Sequence, residues 1–139
     1  MTVTIIGKNS FLAQALAERA EAKNWCFLGH EEALMNTDWV EDASTVFNLA
    51  LHPNMKTHEY TPSRDLDRAL AEMIKGRNIH YIMASTRAVY GFAPDDLYLR
   101  ENMPPRPETL YGRNKWEAEQ AVTQILPPQR LTILRMGNI

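Results

Sequence analysis

The sequence predicts a doubly wound α/β fold, a parallel sheet with helices on both faces. Short β-branched or apolar runs alternate with segments of helical periodicity along the whole chain, which is the pattern of strands joined by helical crossovers. The first strand and helix meet at a glycine turn, the place where such folds bind phosphate. The length of 139 residues fits one domain, 1–139, able to hide about two-thirds of its unfolded surface.

Taken in order, Thr2–Ile6 is β-branched and apolar and reads as a buried strand that ends at Gly7. Asn9 and Ser10 are helix-capping types, and residues 11–23 carry Phe11, Leu12, Ala15, Leu16 and Ala20 at helical spacing. Residues 25–28 form a second strand closed by Gly29. The polar segment 30–44 yields one short helix around 31–35, and 45–49 is a third strand. Residues 63–76 read as a helix stopped by Gly76, with Leu66, Ala69, Leu70, Met73 and Ile74 on one face. A fourth strand at 79–84 leads to the proline-rich loop 92–107, which includes Pro94. A helix over 109–125 stops at Pro127-Pro128, and 131–134 is the last strand.

Composition excludes several classes. Hydrophobic residues make 45% and charged ones 23%; 15 Lys and Arg against 17 Asp and Glu give a net charge of −2. Without a basic excess or basic run, neither nucleic acid nor a membrane surface is an expected partner. No apolar run nears the ~18 residues of a membrane span. The strand pattern begins at Thr2 with no basic leader, so a cytoplasmic location is expected. Cys26 is the single cysteine and forms no internal disulfide; its apolar run predicts a small buried core residue in a reducing compartment.

The turn after the first strand reads Gly7-Lys8-Asn9-Ser10-Phe11-Leu12-Ala13. A first glycine permits the tight turn, a second lets backbone approach a pyrophosphate at the helix N-terminus, and a third packs helix on strand. Ser10 takes the second position, adding a Cβ and hydroxyl where close approach is wanted, and Ala13 takes the third. An Asp or Glu at the end of strand two would hold an adenosine ribose. The segment Gly29-His30-Glu31-Glu32 has no clear acid there. Glu31 or Glu32 substitutes, Lys8 is placed to face a 2′-phosphate, or all three are solvated loop charges. NAD and NADP both stay open.

Tyr111 and Lys115 lie at i and i+4, on one face of their helix. An ammonium beside a phenol favours the phenolate, which suits Tyr111 to general acid/base work. Ser85 and Thr86 close the fourth strand, as hydroxyls for a substrate or as a strand-end cap. Tyr90-Gly91 reads as a bend with a packing aromatic. His52 and His58, with Glu59 or His80, show no metal-ligand spacing, so no metal is expected.

With Asn48-Leu49-Ala50, Ser85-Thr86-x-x-Val89-Tyr90-Gly91, Glu101 before its prolines, Tyr111-x-x-x-Lys115 and Leu134-Arg135-Met136-Gly137-Asn138 in this order, the chain resembles the extended short-chain dehydrogenase/reductase family, the NAD-dependent epimerases and dehydratases of nucleotide sugars. The resemblance implies a Rossmann-type domain, NAD or NADP as cofactor and a nucleotide sugar as substrate. It implies a catalytic set of Thr86, Tyr111 and Lys115, with Lys115 also bonding the nicotinamide ribose. It puts Gly7, Ser10, Phe11, Leu12, Leu49, Ala50, Tyr111 and Lys115 in the cofactor site. It also allows a homodimer through the Tyr-x-x-x-Lys helix, with Trp116, Ala121, Val122 and Ile125 on the seam. The departures are Ser10, the short 30–44 segment with little room for the usual extra strand and helix, and Asp65 where many members carry asparagine. The family's C-terminal substrate domain has no counterpart before Ile139 and is expected to be missing. The alternative reading is a degenerate, catalytically inactive dinucleotide-binding or scaffold module.

Overall fold

A computed structural model describes residues 2–92 and 98–137. Pro94, Asn138 and Ile139, which entered the sequence reading, lie outside the described residues. Strands β1 (Thr2–Ile6), β2 (Cys26–Leu28), β3 (Ala43–Asn48), β4 (His80–Thr86) and β5 (Leu131–Met136) form one sheet in the order β2-β1-β3-β4-β5, every pair parallel. Helices α1 (Phe11–Ala17), α2 (His30–Met35), α3 (Leu66–Ile74) and α4 (Leu110–Ile125) are the crossovers. The step from β1 to β2 runs opposite to all later steps, so right-handed crossovers put α1 on one face and α2, α3 and α4 on the other. That is the doubly wound arrangement. The short segment 30–44 holds α2, the 3₁₀ turn Asp38–Glu41 and the start of β3 but no extra strand, so β1 stands directly between β2 and β3.

Register fixes what each face buries. Cys26, Thr4, Val46, Tyr81 and Leu131 form one row across the sheet, and Leu28, Ile6, Asn48, Met83 and Ile133 the next. From these rows Ile6, Val46, Tyr81 and Met83 meet Ala33 of α2, Leu70, Ala71 and Ile74 of α3, and Ala118 and Val122 of α4 in the main core. Each large side chain buried there contributes about 1.5–3 kcal/mol. On the opposite face Ile5 of β1 and Ala13 of α1 are buried, while Phe47, Ile82 and Ala84 are half-buried and Leu134 is 39% exposed.

Strand ends shift by one or two residues, and three features differ more from the sequence reading. Bonding after α1 shifts to i→i−3, from Arg19 N to Leu16 O and from Ala22 N to Arg19 O, so a turn and the short 3₁₀ segment Ala20–Ala22 replace helix on the way to β2. The helix placed over 63–76 begins at Leu66, because Asp65 caps it and Pro62–Arg64 is a separate 3₁₀ turn. Cys26 is half-buried rather than in the core, since β2 is an edge strand. Partial burial, then the nearby Glu32 carboxylate, raises its thiol pKa.

Candidate active site

The sheet order reverses between β1 and β3, and open parallel sheets form a ligand crevice outside the strand ends at such a point. A cleft of about 390 Å³ opens there. Its walls are Ser10, Phe11 and Leu12 after β1, Leu49, Ala50 and Leu51 after β3, Ala84 and Ser85 on β4, Met136 on β5, and Tyr111 and Lys115 on α4. Every residue expected in the cofactor site lines this cleft except Gly7, which forms the turn behind it. A second cleft, of about 490 Å³, meets the first at Met136 and is lined by Arg87, Arg100, Glu101 and Arg135 among others. It includes none of Thr86, Tyr111 and Lys115.

Gly7 has φ +95°, and an added Cβ would sit 2.7 Å from Ala50 N and 2.9 Å from Leu49 C. Only glycine lets the turn lie against the end of β3. Ser10 has φ −70° and ψ 155°, extended backbone that suits any residue, so the second glycine position demands no glycine for its dihedrals. Its Oγ accepts from Ala13 N at 3.2 Å and caps α1, which leaves Phe11 N and Leu12 N without intrahelical partners. Ala13 is wholly buried, as the third position requires for close packing of helix on strand. Phe11 is 75% exposed at the mouth.

At the β2 edge of the sheet, Lys8 and Glu32 pair with each other, and Glu32 also accepts from Gly29 N at 3.3 Å. The Lys8 bond, then the Gly29 bond, lowers the Glu32 carboxyl pKa. Of the two acids, Glu32 therefore faces the turn.

Helix α4 is set by contacts the sequence did not announce. Thr109 caps it, its Oγ1 accepting from Gly112 N at 3.0 Å. A Cβ at Gly112 would meet Ala88 O at 2.5 Å, so glycine allows α4 to touch the turn Arg87–Tyr90. Asn114 is buried and donates to Met55 O (2.9 Å) and His58 O (2.7 Å), pinning the loop that puts Lys56 Nζ 5.6 Å from the Tyr111 ring centroid. Lys115 Nζ is bonded to Asp67 Oδ2 at 3.4 Å, with side chains only 3% and 5% exposed. Asp67 also accepts from Tyr81 OH (2.5 Å) and Asn48 Nδ2 (2.9 Å). Burial, then the Asp67 charge, pushes the Tyr81 hydroxyl pKa well up.

Thr86 takes the strand-end cap role, its Oγ1 accepting from Ala88 N at 3.1 Å, and Ser85 rather than Thr86 lines the cleft. The Ser85 hydroxyl donates to Glu119 Oε2 at 2.5 Å. Glu119 is 1% exposed and receives Arg135 Nη2 at 2.7 Å and Nε at 3.1 Å. Arg135 also donates to Tyr90 OH (2.7 Å) and stacks on the Tyr90 ring at 4.9 Å. Partial burial opposes its charge, but the Glu119 and Tyr90 bonds outweigh that and raise its pKa. Tyr90 is thus a packing aromatic with a polar partner.

The histidines have local roles: His52 Nδ1 accepts from Asn54 N, His58 pairs with Thr57 and His80 with Thr132. The expected dimer seam is corrected in part, because Val122 is fully buried in the core and Ile125 packs against it. Asp65 caps α3 through Arg68 N (3.1 Å) and accepts from Tyr60 OH (2.6 Å). Asparagine caps equally well, so the departure at 65 is mild. Burial raises the Asp65 carboxyl pKa against the lowering effect of those bonds. A raised folded-state pKa means that stability is lost as pH rises through it. Asp65→Asn should therefore gain stability over wild type near neutral pH and show no gain below about pH 4, where the carboxyl is protonated in both folded and unfolded chains, as read by urea unfolding at the two conditions.

A comparison with known families matches residues 1–139 to the RmlD substrate binding domain. Among solved structures, a dTDP-4-dehydrorhamnose reductase from Clostridium acetobutylicum is 21% identical with a TM-score of 0.74, over 97% of this chain and 52% of its own. The Bacillus anthracis dTDP-4-dehydrorhamnose reductase, solved in complex with NADP, is 19% identical with a TM-score of 0.73, over 99% and 54%. A Thermus thermophilus UDP-glucose 4-epimerase in complex with NAD is 19% identical with a TM-score of 0.72, over 97% and 54%. The chain spans about half the length of these proteins. The fold is theirs, the resemblance drawn from the motifs holds, and the chain belongs to the RmlD substrate binding domain family.

Proposed function

We propose that this chain is the nicotinamide-dinucleotide-binding half of an enzyme that reduces, epimerises or dehydrates a nucleotide-linked sugar, with Tyr111 as general acid/base. The observation that carries the reading is the cleft itself, which joins the turn residues Ser10, Phe11 and Leu12 to Tyr111 and Lys115 at the strand ends. The residues fit NAD or NADP: Gly7 lets the turn lie against the end of β3 at the cleft, Phe11 N and Leu12 N are open for phosphate, and Phe11 offers a bare ring. The cofactor supplies hydride transfer when bound. Tyr111 would exchange a proton with the substrate oxygen, Thr86 would share that oxygen through its hydroxyl, and Lys115 would hold the nicotinamide ribose.

The inactive dinucleotide-binding module is the second reading, favoured by Thr86, whose oxygen serves as a cap outside the cleft lining. No helix among the described residues is long and apolar enough to cross a membrane. A cytoplasmic location suits the one cysteine, and a homodimer through α4 would use the groove at Trp116, Gln120 and Thr123.

Fluorescence titration with NADH and NADPH tests the reading, and saturable binding of either is expected. No binding of either at millimolar cofactor would remove it. Turnover of dTDP-4-dehydrorhamnose or UDP-glucose separates the two readings. Tyr111→Phe should lower such turnover by about 10²-fold or more, the usual worth of a positioned acid/base. Unchanged turnover would end the assignment of Tyr111.

A further inference from the structure

The cleft floor holds a buried charge pair that the motif chemistry does not use. Lys115 lines the cleft, yet its ammonium bonds Asp67 Oδ2, and both side chains are nearly free of solvent. The other carboxylate oxygen accepts from Tyr81 OH and Asn48 Nδ2. Asn48 Oδ1 in turn accepts from Ala50 N at 2.9 Å, and Ala50 N is the atom that an added Cβ at Gly7 would strike first. A continuous hydrogen-bonded path therefore runs from the wall of the phosphate-binding turn through β3 and α3 to Lys115 on α4.

Removing one partner of such a pair leaves the other charge buried and uncompensated. We infer that Asp67 is a positioning residue: it fixes the Lys115 ammonium at the cleft floor, in register with the Leu49-Ala50 wall, and acts on a bound nicotinamide dinucleotide only through Lys115. This rests on assigning the cleft to that dinucleotide. A purely structural Asp67 would do something else, since an acid in the first turn of α3 favours the helix dipole whatever stands at 115. Asp67→Asn separates the two roles. The amide oxygen still serves Tyr81 and Asn48, while its N–H₂ meets the ammonium donor to donor and releases Lys115.

The experiment is a double-mutant cycle on the full chain with Asp67→Asn, Lys115→Met and the double variant. Affinity for NADH and NADPH is read by fluorescence, with thermal unfolding of the same four proteins as the check on folding. Each single variant should weaken binding roughly tenfold, and the double variant no more than Lys115→Met alone. Multiplying losses, roughly a hundredfold in the double variant, would overturn the inference. Should Asp67→Asn fail to fold, the double variant, with neither charge left, is expected to fold and bind like Lys115→Met. A double variant roughly tenfold weaker than Lys115→Met overturns the inference in that case too. A wild type that binds neither cofactor sinks the cleft assignment and this inference together, whereas multiplying losses in a chain that binds sink the inference alone.

Discussion

Gly7→Ala is expected to lower the free energy of unfolding by about 3 kcal/mol and to abolish measurable NADH or NADPH binding. Two costs add. The residue sits at φ +95°, where a Cβ is strained by about 1 kcal/mol. The new methyl also lands 2.7 Å from Ala50 N and 2.9 Å from Leu49 C, backbone atoms that cannot swing aside, for about 2 kcal/mol of overpacking. Gly76→Ala is the internal control. Its φ is +126°, but nothing lies within 4 Å of its added Cβ, so only the conformational cost of about 1 kcal/mol applies. Urea unfolding of the two variants separates the terms. Equal losses would mean that the turn does not press against β3.

Glu119→Ala should cost a further class of stability, about 3 kcal/mol, by the same measurement. Glu119 is fully buried and collects Ser85 from β4 and a forked Arg135 from β5, so it ties two strands to α4. Truncation leaves Ser85 without its acceptor and Arg135 with the Tyr90 hydroxyl and the Tyr90 and Trp116 rings. The Arg135 side chain is 19% exposed, so water can reach its charge, which keeps the loss at the low end for a broken buried pair. Glu119→Gln retains an acceptor for Ser85 and should lose about half as much. A loss below about 1 kcal/mol for Glu119→Ala would show that the guanidinium is fully solvated and the network adds little.

The strands were legible because Thr2–Ile6 and the runs near 45–49 and 79–84 are β-branched or apolar between turn residues, the pattern of strands buried on both faces. The cleft was legible for a different reason: its contributors sit at fixed offsets after strands, as Ser10 does after β1 and Ala50 after β3. What stayed hidden was the use of charge. Asp67 reads as an ordinary first-turn acid, and its partner Lys115 is 48 positions away, beyond any local pattern. Glu119 reads like its exposed neighbour Glu117, although its place four residues after Lys115 puts it on the same helical stripe as Tyr111. Gly112 and Asn114 resemble variable spacers within Tyr-x-x-x-Lys, and only the approach to Ala88 O and the bonds to Met55 O and His58 O reveal their work. The end of α1 at Ala17 was missed because no breaker follows; the tightening toward Trp25 is imposed by the need to return to β2.

The parallel pairing of all five strands also governs the order in which the sheet can assemble. No neighbouring pair is joined by a tight hairpin, so each ladder must close a long loop before its first inter-strand bond repays the lost chain entropy. β1 emerges first, yet one whole side of it pairs with β3, whose Asn48 stands opposite Ile6. During synthesis the most buried strand waits, half-paired at best, until the third has left the ribosome. Until that ladder closes, β1 is the strand exposed longest to wrong partners.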